Sequence, residues 1–221
     1  MTKEVFDKIA PGWYNFRHWS IFRNELDGLA ERWHHGSLLN IGCGHGPDFL
    51  PFKDHYHLYG VDFSRVMLEH ARKYSDKFSY SSILIQADIR NLPFADNSID
   101  HAIAVASYHH IKDKAERLSA LQELKRVLTP GGEAFITLWN RWQPRFFFSG
   151  NEPAVSWRIQ DEVVYRYYYL FSYRRAEKLV KQAGFRLIKS FPESSYRYPV
   201  KYFSRNICLL VRKPESAKSS T

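Results

Sequence analysis

The 221-residue chain is 44% hydrophobic and 25% charged, with a formal net charge of +9. It is long enough for one full α/β core and too short for two comfortable domains; no run approaches the ~20 apolar residues of a membrane span, and the opening "MTKEVFDKIA" lacks an apolar signal core. The two cysteines, Cys43 and Cys208, can build neither a disulfide framework nor a Cys-based zinc site, so a single soluble, cytoplasmic domain with no metal and no membrane contact is expected.

In chain order, residues 1–36 are read as a helical cap. Seven β-rich runs follow: "SLLNIG" (37–42), "HLYGVD" (57–62), "SILIQ" (82–86), "DHAIAVA" (100–106), "EAFITLW" (133–139), "FRLIKSF" (185–191) and "NICLLVR" (206–212). Helical patterns separate them. "SRVMLEHARKY" opens on a capping serine and repeats Val66, Met67, His70 and Tyr74 at helical spacing. "KAERLSALQELKRVLTPGG" aligns Leu118, Leu121, Leu124 and Leu128 before a Pro-Gly-Gly stop, and "SYRRAEKLVKQAGF" pairs a capping Ser172 with a stop at Gly184. Alternation of this kind favours a mostly parallel sheet with helices on both faces. Residues 37–139 are the expected ligand-binding core, 140–213 a basic, aromatic-rich substrate-binding part, and 214–221 a disordered tail.

Residues 1–140 carry 16 Lys and Arg against 17 Asp and Glu, whereas residues 141–213 carry 15 against 5. The positive excess is thus confined to the last third, as expected of a surface for a polyanion. There, cations interleave with aromatics in "RWQPRFFF", "YRYYYLFSYRR" and "YRYPVKYFSR". Phosphates need cations and unstacked bases need flat faces, so Arg141, Arg145, Arg174, Arg175, Arg197, Lys201 and Arg205 are RNA-binding candidates. Core packing is the competing use of the aromatics.

"LLNIGCGHG" sends a strand straight into Gly42, Gly44 and Gly46, a pattern that turns the chain sharply and bares backbone N–H groups to a ligand. The next strand ends at Asp62, about twenty residues beyond the first glycine, where an acid can accept both hydroxyls of a ribose. The third is followed by Asp88, in position to meet an adenine amino group. The competing reading is a structural turn followed by two solvated strand ends. The spacing differs from the G-x-G-x-x-G of dinucleotide enzymes, and Pro47 and Asp48 are poor company for a pyrophosphate.

Together with "ADIRNLPFADNSID", "HAIAVASYHHI" and "LKRVLTPGGEAFITLW", these stretches resemble the class I S-adenosylmethionine-dependent methyltransferases over roughly residues 37 to 139. The resemblance implies a Rossmann-like, seven-stranded, mostly parallel sheet. It implies S-adenosylmethionine as cofactor, with Gly42, Gly44 and Gly46 around its methionine end, Asp62 on the ribose, Asp88 and Ile89 on the adenine, and Cys43, Phe63 and Ala106 completing the set.

Outside that core, "VFDKIAPGWYNFRHW", "ASYHHI", "LWN", "AVSW" and "VYRYYYLF" look like the tRNA wobble-uridine carboxymethyl methyltransferases, including the methyltransferase part of the AlkB-homologue tRNA enzyme. This resemblance implies esterification of a 5-carboxymethyl group on the uridine at the first anticodon position. By motif match it implies Arg17, His109, His110, Trp139 and Arg166 as acceptor-site groups, and a small zinc-binding activator docked at the edge of the third strand. Two departures stand out: Tyr169 replaces the family's usual His after Arg-Tyr-Tyr, and a polar insertion carried by some members is missing. Each acceptor-site residue also has a structural alternative, a helix cap or loop bond for the histidines, core for Trp139, ion pairs or flanking positions for the arginines. Two other functions compete, a small-molecule methyltransferase acting on a quinone or lipid-like acid, and a noncatalytic RNA-binding scaffold on the same fold.

Overall fold

A strand sends successive side chains to opposite faces, so adjacent buried leucines mean that a sheet is covered on both. Leu38 and Leu39 are both fully buried in β1 (Gly36–Ile41), the first clustering with Phe22, Phe52 and Leu58, the second with Ala102, Leu124 and Leu209. The computed structural model describes residues 3–215. Its further strands are β2 (Tyr56–Asp62), β3 (Ile83–Gln86), β4 (Ile99–Val105), β5 (Leu128–Trp139), β6 (Ala154–Ile159), β7 (Glu162–Tyr167), β8 (Arg186–Pro192) and β9 (Asn206–Arg212).

Seven of these form one sheet in the order β3-β2-β1-β4-β5-β9-β8, parallel except where β9 runs antiparallel to both β5 and β8. They are the seven strands expected from sequence, with ends shifted by no more than a residue, save that β5 starts at Leu128. Pairing of Leu128 with Ile99 draws the Thr-Pro-Gly-Gly stretch into the strand across a register shift. β6 and β7 were not expected. They make a separate antiparallel hairpin, closed by Gln160 at a φ of 50° and Asp161.

The helices are α1 (Lys3–Phe16), α2 (Arg23–Trp33), α3 (Arg65–Lys77), α4 (Lys114–Val127) and α5 (Tyr173–Gln182). Ser64 and Ser172 cap α3 and α5 as expected, their hydroxyls accepting the N–H groups of Met67 and Arg175. Asp113, rather than either histidine before it, caps α4. Leu121 and Leu124 bury α4 against one face of the sheet beside α5, while Leu26, Leu29 and Trp33 bury α2 against the other. Cap helix α1 packs on α3 and on the β6–β7 hairpin through Ile9, Ala10, Met67 and Val164. No helix among the described residues is long and apolar enough to cross a membrane. Most of the expected C-terminal tail, residues 216–221, lies outside the described residues.

One polar hub ties α2 to the middle of the sheet. Glu133 on β5, 4% exposed, accepts hydrogen bonds from Arg32 at 2.8 Å, from the Trp33 indole at 2.8 Å and from Arg212 on β9 at 2.6 Å. Burial raises the carboxyl's pKa, but the hydrogen bonds from Arg32, Trp33 and Arg212 outweigh it and hold the group at about 2. A carboxyl depressed on folding contributes stability above its unfolded pKa of ~4.5 and loses it as pH falls through the folded value. Glu133→Ala should therefore lower stability by about 3 kcal/mol near neutrality, the low end for breaking a buried pair because both arginines keep contact with solvent. Denaturant melts should show the gap between wild type and variant closing between about pH 4.5 and 2.

Candidate active site

The parallel strands β1, β2 and β4 end at one rim, and a cleft opens there between the sheet and the cap. Gly42, Gly44 and Gly46 take φ of 67°, 54° and 85°, a region that side chains avoid. Their roles differ. A Cβ on Gly42 would sit 2.4 Å from the Ser107 hydroxyl, so this glycine lets β1 and the end of β4 approach. A Cβ on Gly44 would meet nothing within 4 Å; it would project into open space in the cleft. Gly46 does not line the cleft and instead leads into the 3₁₀ turn Pro47–Phe52, its carbonyl accepting the Tyr80 hydroxyl at 3.1 Å.

Asp62 is 5% exposed and faces the same cleft. Its two oxygens accept the N–H groups of Gly44 and Ser64, each at 2.9 Å. Burial lifts its pKa to about 6 despite those bonds. Cys43, Phe63, Asp88, Ile89 and Ala106 also line the cleft. Asp88 is gripped by Arg90, with contacts of 2.6 and 3.0 Å, and this pairing holds its carboxyl below the usual range. Ala106 is left-handed at a φ of 56°, with its N–H bonded to the Thr137 hydroxyl.

Four of the five acceptor-site candidates line the cleft: Arg17, His110, Trp139 and Arg166. His109 does not. It is fully buried behind the wall, its Nδ1 accepting the Trp139 N–H at 3.3 Å and its ring stacked on Tyr168 at 4.9 Å. His110 Nδ1 faces the Tyr167 carbonyl at 2.9 Å and must donate, which leaves Nε2 with a lone pair. Burial drives both pKa values down, that of His110 to about 4, so both rings are neutral at pH 7.

Arg166, on β7, is 6% exposed, and its guanidinium lies 5.4, 5.2 and 5.4 Å from the Trp13, Trp157 and Tyr168 ring centres. Among the described residues it has no carboxylate partner, and its Nε has no hydrogen bond. Aromatic faces stand in for a counterion. Tyr168, 2% exposed and stacked on Trp139 at 4.2 Å, is a wall residue that sequence reasoning passed over inside "YRYYYLF". The departing Tyr169 is not a cleft residue; its ring carries Arg117 at 3.8 Å. No group of three or more metal-ligating side chains is assembled among the described residues.

Arg145 lies over Phe146 and Trp139 at the cleft margin, and buried Asn140 bonds the Tyr202 and Ser204 carbonyls, pinning residues 202–204 to the end of β5. Lys201 lies 4.8 Å from the Tyr173 ring in the first turn of α5, beside exposed Arg174 and Arg175. Arg197 and Arg205 are exposed. Arg141 is tied to Asn151 at 2.6 Å and lies over Trp142.

Glycine turn, buried strand-end acid and rim cleft define a nucleoside-binding α/β fold of the methyltransferase type. A methyltransferase domain family matches residues 39–136. A crystal structure of an S-adenosylmethionine-dependent methyltransferase from Clostridium acetobutylicum superposes with a TM-score of 0.75 at 15% identity, covering 95% of this chain and 99% of that one. A complex of the Trm112 methyltransferase activator with a putative methyltransferase from Haloferax volcanii matches at 0.64 and 18%, covering 95% and 98%. The chain is 27% identical to the tRNA (carboxymethyluridine(34)-5-O)-methyltransferase of Schizosaccharomyces pombe over 82% of its length and 86% of that protein. It is 34% identical to the probable tRNA methyltransferase 9B of Bos taurus over 70% of its length, but spans only 32% of that relative. It is also 34% identical to the 2-phytyl-1,4-naphtoquinone methyltransferase of Nostoc punctiforme, covering 64% of this chain and 66% of that protein. Residues 39–136 thus match a methyltransferase domain, and the chain as a whole has the fold of the S-adenosylmethionine-dependent methyltransferases.

The residues present fit that cofactor. Gly44 leaves open space in the cleft, and the buried Asp62 carboxylate would offer acceptors to a ribose. Asp62→Ala should weaken S-adenosylmethionine binding by roughly 1.5–3 kcal/mol per charge-assisted bond lost. Because the Asp62 pKa is raised on folding, its protonated form stabilises the free chain, an advantage lost as pH rises through about 6, whereas the ribose needs the ionised form. Calorimetric affinity should thus fall below pH 6 in the wild type, and fall less steeply in the variant.

Proposed function

We propose that the chain is a tRNA methyltransferase that esterifies the carboxylate of 5-carboxymethyluridine at the wobble position. The observation that carries this reading is Arg166, a buried cation with aromatic neighbours and no carboxylate partner among the described residues, facing the same cleft as Asp62. An anionic acceptor would complete it. The fission-yeast relative's name supports the same assignment.

When bound, S-adenosylmethionine supplies an electrophilic methyl on a sulfonium. A carboxylate with a pKa of ~4 is already ionised near pH 7, so this chain need only align it and need not remove a proton. Arg166 holds the acceptor's charge, Trp139 and Tyr168 wall it, and His110 offers an Nε2 lone pair to a uracil N3–H or a ribose hydroxyl. The basic end of the chain, with exposed Tyr198, Tyr202 and Phe203 beside Arg197, Lys201 and Arg205, supports docking of an anticodon stem-loop.

The test is single-turnover labelling of carboxymethyl-modified and unmodified tRNA. Labelling of only the modified tRNA, removed by mild alkali and with a rate flat from pH ~6 to ~8, is expected. Arg166→Ala should slow the reaction more than Arg166→Lys. The rate should fall steeply with salt, with a shallower slope once Arg197, Lys201 and Arg205 are neutralised. Alkali-resistant label, or label on a quinone or lipid acid instead, overturns the assignment. Cofactor binding with no turnover on any tRNA would point to a scaffold.

β3 lies at the sheet edge, with Ile83 56% exposed, and an edge of free N–H and C=O groups accepts another strand. A small zinc-binding activator is the proposed occupant, supported by the Haloferax volcanii complex. Co-expression should raise solubility and activity, and an Ile83→Lys change should abolish the gain. Full activity of the chain alone, with no gain from the activator, counts against it.

A further inference from the structure

Asn206 opens β9, and its backbone is fixed on every side. Its N–H donates to Glu193 at 2.8 Å, its carbonyl accepts the Ser204 hydroxyl at 2.7 Å, and it pairs with Trp139 across the antiparallel ladder. Glu193, itself 5% exposed, also takes the Arg205 N–H at 3.1 Å, so one buried carboxylate secures the chain where it enters the strand. The side chain is in the opposite condition. Asn206 is 7% exposed, yet among the described residues its amide has no hydrogen bond within the protein. Such a group is costly to bury, and native structures seldom leave one without partners unless a ligand or water completes it.

Strand phase shows where the amide points. Directly opposed residues of an antiparallel pair send their side chains to one face of the sheet, so Asn206 stands beside Trp139 at a Cβ spacing of ~5 Å. That is the face of Cys208, two residues on, which clusters with Phe22 and Phe135. Asn206, Phe22 and Trp139 all line the cleft. Strand order shows what the amide can meet. From Asp62 on β2 to Asn206 on β9 the path β2-β1-β4-β5-β9 takes four steps, or about 19 Å at ~4.8 Å each. A cofactor with its ribose on Asp62 ends short of that distance. The group that reaches Asn206 therefore belongs to the acceptor, on the side of the cleft that also holds Arg166 and Tyr168.

An asparagine amide presents a donor and an acceptor side by side. Its complement is a ring edge with an N–H next to a C=O, and the imide of uracil is such an edge: Oδ1 accepts from N3–H while Nδ2 donates to a neighbouring carbonyl. A quinone has carbonyls without the N–H, and a lipid-like acid has neither once its carboxylate lies on Arg166. We infer that Asn206 reads the imide edge of the acceptor's uracil and so distinguishes a carboxymethyl-bearing uridine from other carboxylates. The inference rests on the wobble-uridine reading and names the part of the base that is recognised. It leaves the His110 lone pair to a ribose hydroxyl.

The experiment compares kcat/KM for two proteins on two RNAs. The proteins are wild type and Asn206→Leu; the RNAs are tRNA ligated from a synthetic anticodon fragment with 5-carboxymethyluridine at the wobble position, and the same tRNA with that base methylated at N3. N3-methylation should lower the wild-type value about tenfold to a hundredfold, and Asn206→Leu should do the same on the unmethylated tRNA. Variant and N3-methyl together should lose no more than either alone, because both remove one pair of bonds. Calorimetric affinity for S-adenosylhomocysteine should be equal in the two proteins, which also reports that the variant is folded. Asn206→Asp, close in shape, replaces the leucine variant if that chain does not fold; it loses the donor, and should lose activity on unmethylated tRNA at unchanged cofactor affinity. Losses that multiply, full activity of a folded variant, or a wild type indifferent to N3-methylation overturn the inference and leave the wobble-uridine reading standing. A wild type that labels neither tRNA overturns both.

Discussion

The bond from the Gly44 N–H to the Asp62 carboxylate organises everything near the cleft. It rests on a left-handed residue just past the end of β1, a conformation glycine adopts most readily, and on a buried acid at the end of the neighbouring β2. The other oxygen of that acid takes the N–H of Ser64, whose hydroxyl caps α3 and reaches Asp7 of the cap helix α1. One carboxylate thus fixes the glycine turn, the start of α3 and, through Ser64, the seat of α1. The end of α1 in turn delivers Trp13 and Arg17 to the cleft. Moving this acid would displace the cap as well as the nucleoside site.

Parts of the site built from local chemistry were legible in the sequence. Three glycines behind an apolar run, and an acid ending the next strand, need only neighbouring residues to be understood; Gly42, Gly44 and Asp62 face the cleft, whereas Gly46 turns the chain behind it. Ser64 and Ser172 cap because a serine before an amphipathic run has one obvious use. The β6–β7 hairpin is not legible in the sequence, for a physical reason. "AVSWRI" and "EVVYRY" do alternate, but they carry cations and exposed aromatics and join through Gln160 and Asp161, a turn with no glycine to mark it. The roles of His109 and Tyr168 depend on tertiary packing. Adjacent histidines in sequence gave no sign that one ring would line the cleft and the other would be buried behind Trp139.

The two cleft arginines show how a small protein keeps a cation available. A guanidinium paired with a carboxylate would be neutralised before any ligand arrived, whereas ring faces lower the cost of burial without occupying the N–H donors. Arg166 has three such faces and Arg17 two, with Trp13 common to both. Burial lowers both pKa values, yet an arginine remains charged. The aromatic excess that reads from the sequence as a stacking surface is therefore partly spent inside, housing charge.

The hairpin that carries Arg166 pairs with no strand of the main sheet. It is held instead largely by α1, through Trp13, Trp157 and Val164, so the cation proposed for the acceptor hangs on an appendage while the proposed nucleoside site is built on the main sheet. An insertion, a deletion or a wholesale exchange between Asn151 and Tyr168 would leave the sheet's register intact. Over evolutionary time a fold built this way can keep its central sheet while about eighteen residues of an appended, half-buried ribbon are rewritten.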